Sequence, residues 1–343
     1  MMGLQFEHAP GAQAGILFAN THLEMEHTLQ PETPVMLYPL LGKSPLQRAV
    51  ELLVRNGCTD IYLVSDNIPA LQPTLQDGER WGCRISYYEQ IQQEKLCDLA
   101  CRLGINREAF YWLADANHIP LNLPHYFSET ASTNGVSYRK YEAPHEWAHW
   151  GCFRGNWLYQ QPCTLSYDAI TDAMRGLTLI DTLLLTQPSI VSASLADLFL
   201  SAKNLIDHHA KDLIQVEHHT QIHPTATLLA PVYIGEGVKI SANAIIGPNV
   251  IIEKNCFIDQ GSHLQDAHIL PETYVGKDLD LKNVMAIKNW LINLTRNSIT
   301  VVTDPWLLSG MPMQPLNTST FRHHFHWLCQ TAIRPFQTLS KLF

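Results

Sequence analysis

Residues 234–255 read IGEGVKISANAIIGPNVIIEKN, and the spacing inside this stretch decides the fold of the C-terminal half. Ile234, Ile240, Ile246 and Ile252 stand six residues apart, and the same step continues through Ile222 and Leu228 before them and Ile258, Leu264 and Leu270 after. With about one position in five occupied by Ile or Leu, nine hits in register at a given start arise by chance on the order of once in a million. Four residues after each comes Ala226, Val232, Val238, Ala244, Val250, Cys256, Ser262, His268 and Tyr274, small or β-branched for the first six and larger at the end. A period of six fits neither a 3.6-residue helix nor plain alternation. It fits a prism with one short strand and one turn per face, three hexads to a coil. The aliphatic side chains are predicted to point inward. Gly235, Gly237, Asn243, Gly247 and Asn249 are predicted to occupy the turns, where left-handed backbone angles cost them little.

Over residues 221–276, roughly three coils, this pattern resembles the hexapeptide-repeat family of left-handed β-helices. Prisms of that family serve as structural stacks and oligomer contacts, or they build acyl-transfer sites with a His as base. His223, His263 and His268 are the candidate bases here, and the shortness of the prism favours the structural role.

Upstream, two kinds of segment alternate. AGILFA at 14–19 and DIYLVS at 60–65 are short apolar runs, and between them SPLQRAVELLVRNG at 44–57 has apolar residues at helical spacing and ends in Gly57. That order is β-α-β, with a right-handed crossover expected. RISYYE at 84–89 and FYWLAD at 110–115 are predicted to continue the series as buried strands. The N-terminal half is therefore read as a Rossmann-like α/β domain with a mostly parallel sheet. Ligands of such sheets bind beyond the carboxyl ends of the strands. Asp115, closing its strand in YWLADANHIP, is either a metal- or ligand-binding residue or a loop cap, and both readings stay open.

YPLLGKSPLQRAVELLVRNGCTDIYLVSD at 38–66, FYWLADAN at 110–117 and the prism together resemble the sugar-1-phosphate nucleotidyltransferases, or nucleotide-sugar pyrophosphorylases, up to about residue 303. The resemblance implies a reaction joining a sugar 1-phosphate to a nucleoside triphosphate with release of pyrophosphate, Mg²⁺ neutralising the phosphates during in-line attack. It sets the family's strand-end metal-binding aspartate on Asp115 and matches residues 42–48 to the start of the first long helix. The departures concern the chemistry. The family's G-x-G-x-R-L loop brings backbone amides and a cation to the triphosphate. Here residues 19–34 read ANTHLEMEHTLQPETP, without Gly, Arg or Lys and with Glu24, Glu26 and Glu32, whose charges repel a triphosphate. The family's P-K-P lysine corresponds to Val35 in TPVML, and its sugar-contacting Glu-Lys pair to Glu142 followed by Ala143 in KYEAPHEW. Its second metal-binding aspartate corresponds to PSIVSASL at 188–195, which has no acid. The expectation is a domain that kept the fold and lost or changed the activity, with Asp115 and Glu142 as ligand-binding residues and Mg²⁺ as cofactor if it is catalytic.

Residues 145–149 spell His-Glu-Trp-Ala-His, matching H-E-x-x-H. On a helix His145 and His149 share a face and bind zinc while Glu146 positions water, so a zinc hydrolase is the enzymatic alternative. A packed aromatic patch around Trp147, Trp150 and Phe153 is the competing reading. His208, His209, His218 and His219, in IDHHAKDLIQVEHHTQ, are read as part of a solvated linker. In the tail FRHHFHWLCQTAIRPFQTLSKLF at 321–343, Phe321, Phe325, Leu328, Ala332, Phe336, Leu339 and Phe343 recur at steps of three and four, with Arg322, Arg334 and Lys341 as the formal charges. That amphipathic helix either folds back on the prism or meets an anionic membrane surface or a membrane-bound partner.

Composition bounds the rest. A chain of 343 residues with 46% hydrophobic and 16% charged residues is folded and long enough for two or three domains. Its 32 acidic and 23 basic side chains give −9, the wrong sign for coating a phosphate backbone, so no nucleic acid is expected as partner. The N-terminus lacks a secretory pattern and no window approaches the roughly 20 apolar residues of a membrane span, so a cytoplasmic protein is expected, peripheral at the inner face of the membrane if the tail binds there. Eight scattered Cys without a CxxC pair are read as reduced, mostly buried thiols. The expected domains are 1–205, nucleotidyltransferase-like; 206–220, linker; 221–302, β-helix; and 303–343, tail. The expected function is a divergent sugar-phosphate nucleotidyltransferase-like protein of nucleotide-sugar or cell-surface polysaccharide metabolism with lost or altered catalysis, binding a nucleotide or sugar phosphate. The alternative is a non-catalytic scaffold or regulatory subunit that binds a polysaccharide-synthesis partner. Homo-oligomerisation is expected, because a prism leaves coil edges and flat faces to cover.

Overall fold

The structure, a computed structural model, describes residues 14–21, 33–121, 123, 135–139, 147–163, 181–185, 189–209, 213–293, 296 and 298–311. Glu142, His145, most of the acidic stretch (22–32) and the tail from 312 onward lie outside these residues. The chain divides into two compact units, Met1–Tyr38 with Lys43–Ser201, and Pro39–Gly42 with Ala202–Phe343. No helix among the described residues is long and apolar enough to cross a membrane.

The first unit runs β1 (Ala14–Phe18), α1 (Pro45–Arg55), β2 (Asp60–Ser65), α2 (Ile68–Leu75), β3 (Arg84–Glu89), α3 (Leu96–Arg102), β4 (Phe110–Asp115), β5 (His118–Pro120), β6 (Gly135–Arg139), β7 (Trp147–Arg154), α4 (Gly155–Tyr159), β8 (Asp181–Leu184) and β9 (Ser189–Val191). Helix α5 (Leu195–His209) follows, its residues from Ala202 on belonging to the second unit. The predicted first helix forms for identifiable reasons. Ser44 and Gln47 close a capping box, Pro45 takes the first turn, and Leu46, Ala49, Val50 and Leu53 bury one face. The sheet order is β3-β2-β1-β4-β7-β6-β8. The first four strands are parallel, β7 is antiparallel to both β4 and β6, and β8 returns parallel to β6. RISYYE is an edge strand with only Ile85 fully buried, not the buried strand expected, because β3 has a neighbour on one side alone.

The second unit is a three-faced parallel β-helix. Val232–Ile234 pairs with Val250–Ile252, Lys239–Ile240 with Phe257–Ile258 and Ile245–Ile246 with His263–Leu264, each eighteen residues apart, so three hexads do make a coil. Ile234, Ile240, Ile246, Ile252, Ile258 and Leu264 share the interior with Val232, Val238, Ala244, Val250 and Cys256. Gly237, Asn243, Asn249, Asn255 and Gly261 hold positive φ and mark the corners at a strict step of six. The next such residue is Asp266, five on. That lost residue advances the phase, so Ile269, not Leu270, pairs with Ile252 and points inward. Between the interior residues Ala267 and Ile269 on the same strand, His268 takes the outward side.

Three further readings change. Gly235 does not have positive φ; a Cβ there would stand 2.8 Å from the amide nitrogen of Lys254, so glycine is needed because the next coil passes too close. The expected linker is structured at both ends: His208 and His209 end α5, and Ile214–Val216 is already the first coil strand, paired with Val232–Ile234. Val216 is in register with Ile222 and was missed because the period was counted in Ile and Leu. From Trp290 the chain turns antiparallel in two short strands, and Leu308–Gly310 pairs back on Thr273–Val275, closing the stack later than the expected boundary at 302. The seven described cysteines are free; Cys58, Cys83, Cys152 and Cys256 are buried, whereas Cys101 is exposed.

Gly235→Ala is expected to destabilise the β-helix by about 1–3 kcal/mol through overpacking, whereas Asn243→Gly, at a corner that glycine suits, stays within about 0.5 kcal/mol. Urea unfolding of the two variants beside the parent checks both.

Candidate functional site

The chain lays β1, β2 and β3 down in one direction and then returns to place β4 on the other side of β1. Ligands of open α/β sheets bind at such a reversal, beyond the carboxyl ends of the strands. Three strand ends gather there: Asn20–Thr21 after β1, Asp66 after β2, and Asp115 with Asn117 and His118 at the end of β4. They are cross-tied. The backbone N–H and hydroxyl of Thr21 donate to Asp66 Oδ1 at 2.8 and 2.9 Å. The Asn117 side-chain amide donates to the Asn20 carbonyl at 3.0 Å, and the Ser192 hydroxyl and backbone N–H donate to the side-chain and main-chain oxygens of Asn117. Between them lies a small pocket lined by Asn20, Thr21, Val35, Met36, Asn117, Ser192 and Ala193. Asn20 Oδ1 is buried and has no hydrogen-bond partner among the described residues.

Beside this pocket Asp115 acts as a loop cap with one oxygen and meets two imidazoles with the other. Its Oδ1 accepts the Asn117 N–H at 2.8 Å, as a loop cap does. Its Oδ2 lies 3.0 Å from His118 Nδ1 and 3.0 Å from His149 Nδ1. His118 opens β5. His149 arrives from β7, whose antiparallel pairing sets Trp150 against Ala114 and so His149 against Asp115. The two imidazoles stack with centroids 3.6 Å apart and planes 9° apart. His149 holds φ at +63°, a strained angle for a residue with a Cβ, and is buried, whereas the side chains of Asp115 and His118 are 23% and 22% exposed. Burial alone would raise the Asp115 pKa, but hydrogen bonds from His118 and His149 outweigh it and hold the carboxyl well below the ordinary range. An ionised carboxylate only accepts, so both Nδ1 atoms carry hydrogen in this arrangement. The Trp150 indole N–H donates to the Asp115 and His118 carbonyls, and Trp147 donates to the Trp150 carbonyl at 2.9 Å.

His149 therefore belongs to a site, but not to the predicted one. Trp147–Arg154 is a strand whose first seven residues are all buried, with Trp147 and Phe153 in one hydrophobic cluster beside Trp157, so the helical geometry of H-E-x-x-H is overturned. His118 was overlooked in the sequence; the available signal was an imidazole three residues beyond a strand-end aspartate. For Mg²⁺ the donor set does not fit. That ion demands oxygen ligands, and the cluster supplies one carboxylate with two imidazoles. The segment in which the second aspartate was sought does reach the site, through the pairing of β9 with β5, and brings Ser192 and Ala193. Of the candidate acyl-transfer bases, His223 bonds Thr225, His263 lies 3.7 Å from Asp280, and His268 is sealed against buried Glu253.

Comparison with known proteins finds that residues 216–294 match the family model of the GMPPB C-terminal domain. No curated protein matches the chain significantly. Among solved structures, a Bacillus anthracis protein described as a glucose-1-phosphate thymidylyltransferase, in complex with a sucrose, is 12% identical, the match covering 56% of this chain and 94% of that one with a TM-score of 0.43.

Trp150→Phe leaves two carbonyls at the site without their donor and is expected to cost about 1–3 kcal/mol of stability. Chemical denaturation checks this, and an unchanged midpoint would show that the indole N–H does not hold the β4–β5 turn.

Proposed function

We propose that this chain, whose residues 216–294 match the family model of the GMPPB C-terminal domain, is a sugar-phosphate nucleotidyltransferase-like protein that holds a sugar-bearing ligand in its strand-end pocket without transferring a nucleotidyl group. The observation that carries the reading is the pocket itself. Its polar lining is made of amides and hydroxyls, Asn20, Thr21, Asn117 and Ser192, with one amide oxygen still open, which is the chemistry that receives sugar hydroxyls. No cation stands among its described lining residues. Val35, set by the resemblance where the family has a lysine, lines it. So do Ser192 and Ala193, from the segment where the second aspartate was sought. The acidic, glycine-free residues 19–34 add to this: a triphosphate finds neither close amides nor countercharge there. Self-association is part of the reading, supported by Ile214 and Val216 on the first coil and Trp306 and Leu307 near the last, all exposed.

Incubation with Mg²⁺ and a panel of nucleoside triphosphates and sugar 1-phosphates is expected to release no pyrophosphate above the blank. Nucleotide sugars or sugar phosphates at millimolar concentration are expected to raise the thermal midpoint of the wild type but not of Asn117→Ala. Turnover abolished by Asp115→Ala would return the chain to the catalysts. A flat thermal response to every sugar would leave a scaffold role alone. Light scattering is expected to give a multiple of the chain mass, and a monomer removes self-association.

A further inference from the structure

We propose that Asp115, His118 and His149 form a binding site for a borderline divalent cation of the zinc and cobalt class, in place of the Mg²⁺ that the resemblance implies. The inference goes beyond the proposed function and does not need a sugar ligand to be present. Its first support is the donor set. Imidazole nitrogen suits zinc, cobalt and their neighbours, whereas hard Mg²⁺ prefers oxygen and retains its water. The second is spacing. Donors on a sphere of about 2.1 Å radius lie about 3.0–3.4 Å apart between octahedral and tetrahedral angles. Asp115 Oδ2 lies 3.0 Å from each Nδ1, and one donor atom from each of the three residues can be chosen within 4.8 Å of the others. The third is access and rigidity. His149 is buried and backed by Trp147, and its backbone is held in a strained conformation, while Asp115 and His118 keep a solvent-facing side. Three protein ligands then leave positions for water or a ligand oxygen, as in open rather than closed zinc sites.

The present arrangement also says what must change on loading. Each imidazole must give up its Nδ1 hydrogen, so that a lone pair faces the ion beside Oδ2. An imidazole lone pair lies in the ring plane, and two stacked rings with centroids 3.6 Å apart and planes 9° apart cannot both hold one ion in plane. One ring must tilt. His118, on a three-residue strand and partly exposed, is the ring free to do so, while His149 stays fixed.

Chelator-treated full-length protein is dialysed against Zn²⁺, Co²⁺ or Mg²⁺ alone, without nucleotide or sugar, and bound metal is counted by mass spectrometry. One equivalent of Zn²⁺ or Co²⁺ is expected, undisturbed by millimolar Mg²⁺, with a visible absorption band for the Co²⁺ form. His118→Ala is expected to weaken binding about 100-fold or more, while a His218→Ala/His219→Ala double variant, which removes the exposed histidine pair, retains it. Zn²⁺ is expected to raise the melting midpoint of the wild type and of the double variant but not that of His118→Ala. Asp115→Asn is a second probe of the same loss, and His118→Ala decides if it fails to fold. No stoichiometric cation, preference for Mg²⁺, unchanged affinity in His118→Ala, or loss in the double variant would each overturn the site. Metal bound in a protein that gives a flat sugar titration would sink the proposed function and leave this inference standing; sugar binding without metal would do the reverse.

Discussion

The carboxylate of Asp115 accepts two imidazole N–H groups on one oxygen and a backbone N–H on the other, and the geometry of the strand-end cleft hangs on those three bonds. Through them the end of β4 is tied to its own turn, to β5 and to β7. Hydrogen bonds to an ionised acceptor contribute about 1.5–3 kcal/mol each, enough to hold His149 at a backbone angle that costs of order 1–3 kcal/mol. The antiparallel entry of β7 is what makes the arrangement possible: a parallel neighbour would present its own carboxyl end at this edge, not its first residues. Trp150 then secures the turn from below, so two of the aromatic residues that open β7 serve the site as well as the core.

The β-helix obeys a different constraint, the recurrence of a corner that only a left-handed residue can make. While the corners fall every six residues, the same side chains return to the interior. One five-residue step between Gly261 and Asp266 moves the interior position from Leu270 to Ile269 and sends His268 outward. It meets Glu253 there, whose other oxygen accepts the Gly42 N–H within the same unit. A single missing residue at one corner therefore changes which side chains the prism buries and which it offers.

These two constraints explain what could be read in advance. The prism was legible because a period survives without knowledge of the fold, and the slip escaped because Ile269 and Leu270 are both aliphatic neighbours. The parallel half of the first sheet was legible from its β-α-β order, and Asp115 from its place at a strand end. The pairing of His118 with His149 was not, since it depends on the direction in which β7 returns to β4, which neither composition nor local periodicity encodes. The spacing of H-E-x-x-H misled for a related reason. Residues four apart share one turn of a helix, and that meaning is lost because Trp147–His149, the last three positions of the motif, are strand.

Whether the cleft is a remnant or a working site can be argued from how its polar groups are kept. A site losing its purpose shows it first in orphaned buried polar atoms, because each costs desolvation energy that nothing returns. Here the polar side chains are joined in pairs: Thr21 to Asp66, Asn117 to Asn20 and Ser192, Asp115 to both imidazoles. Within the cleft the buried side-chain oxygen without a partner among the described residues is that of Asn20, and it belongs to a residue lining the pocket.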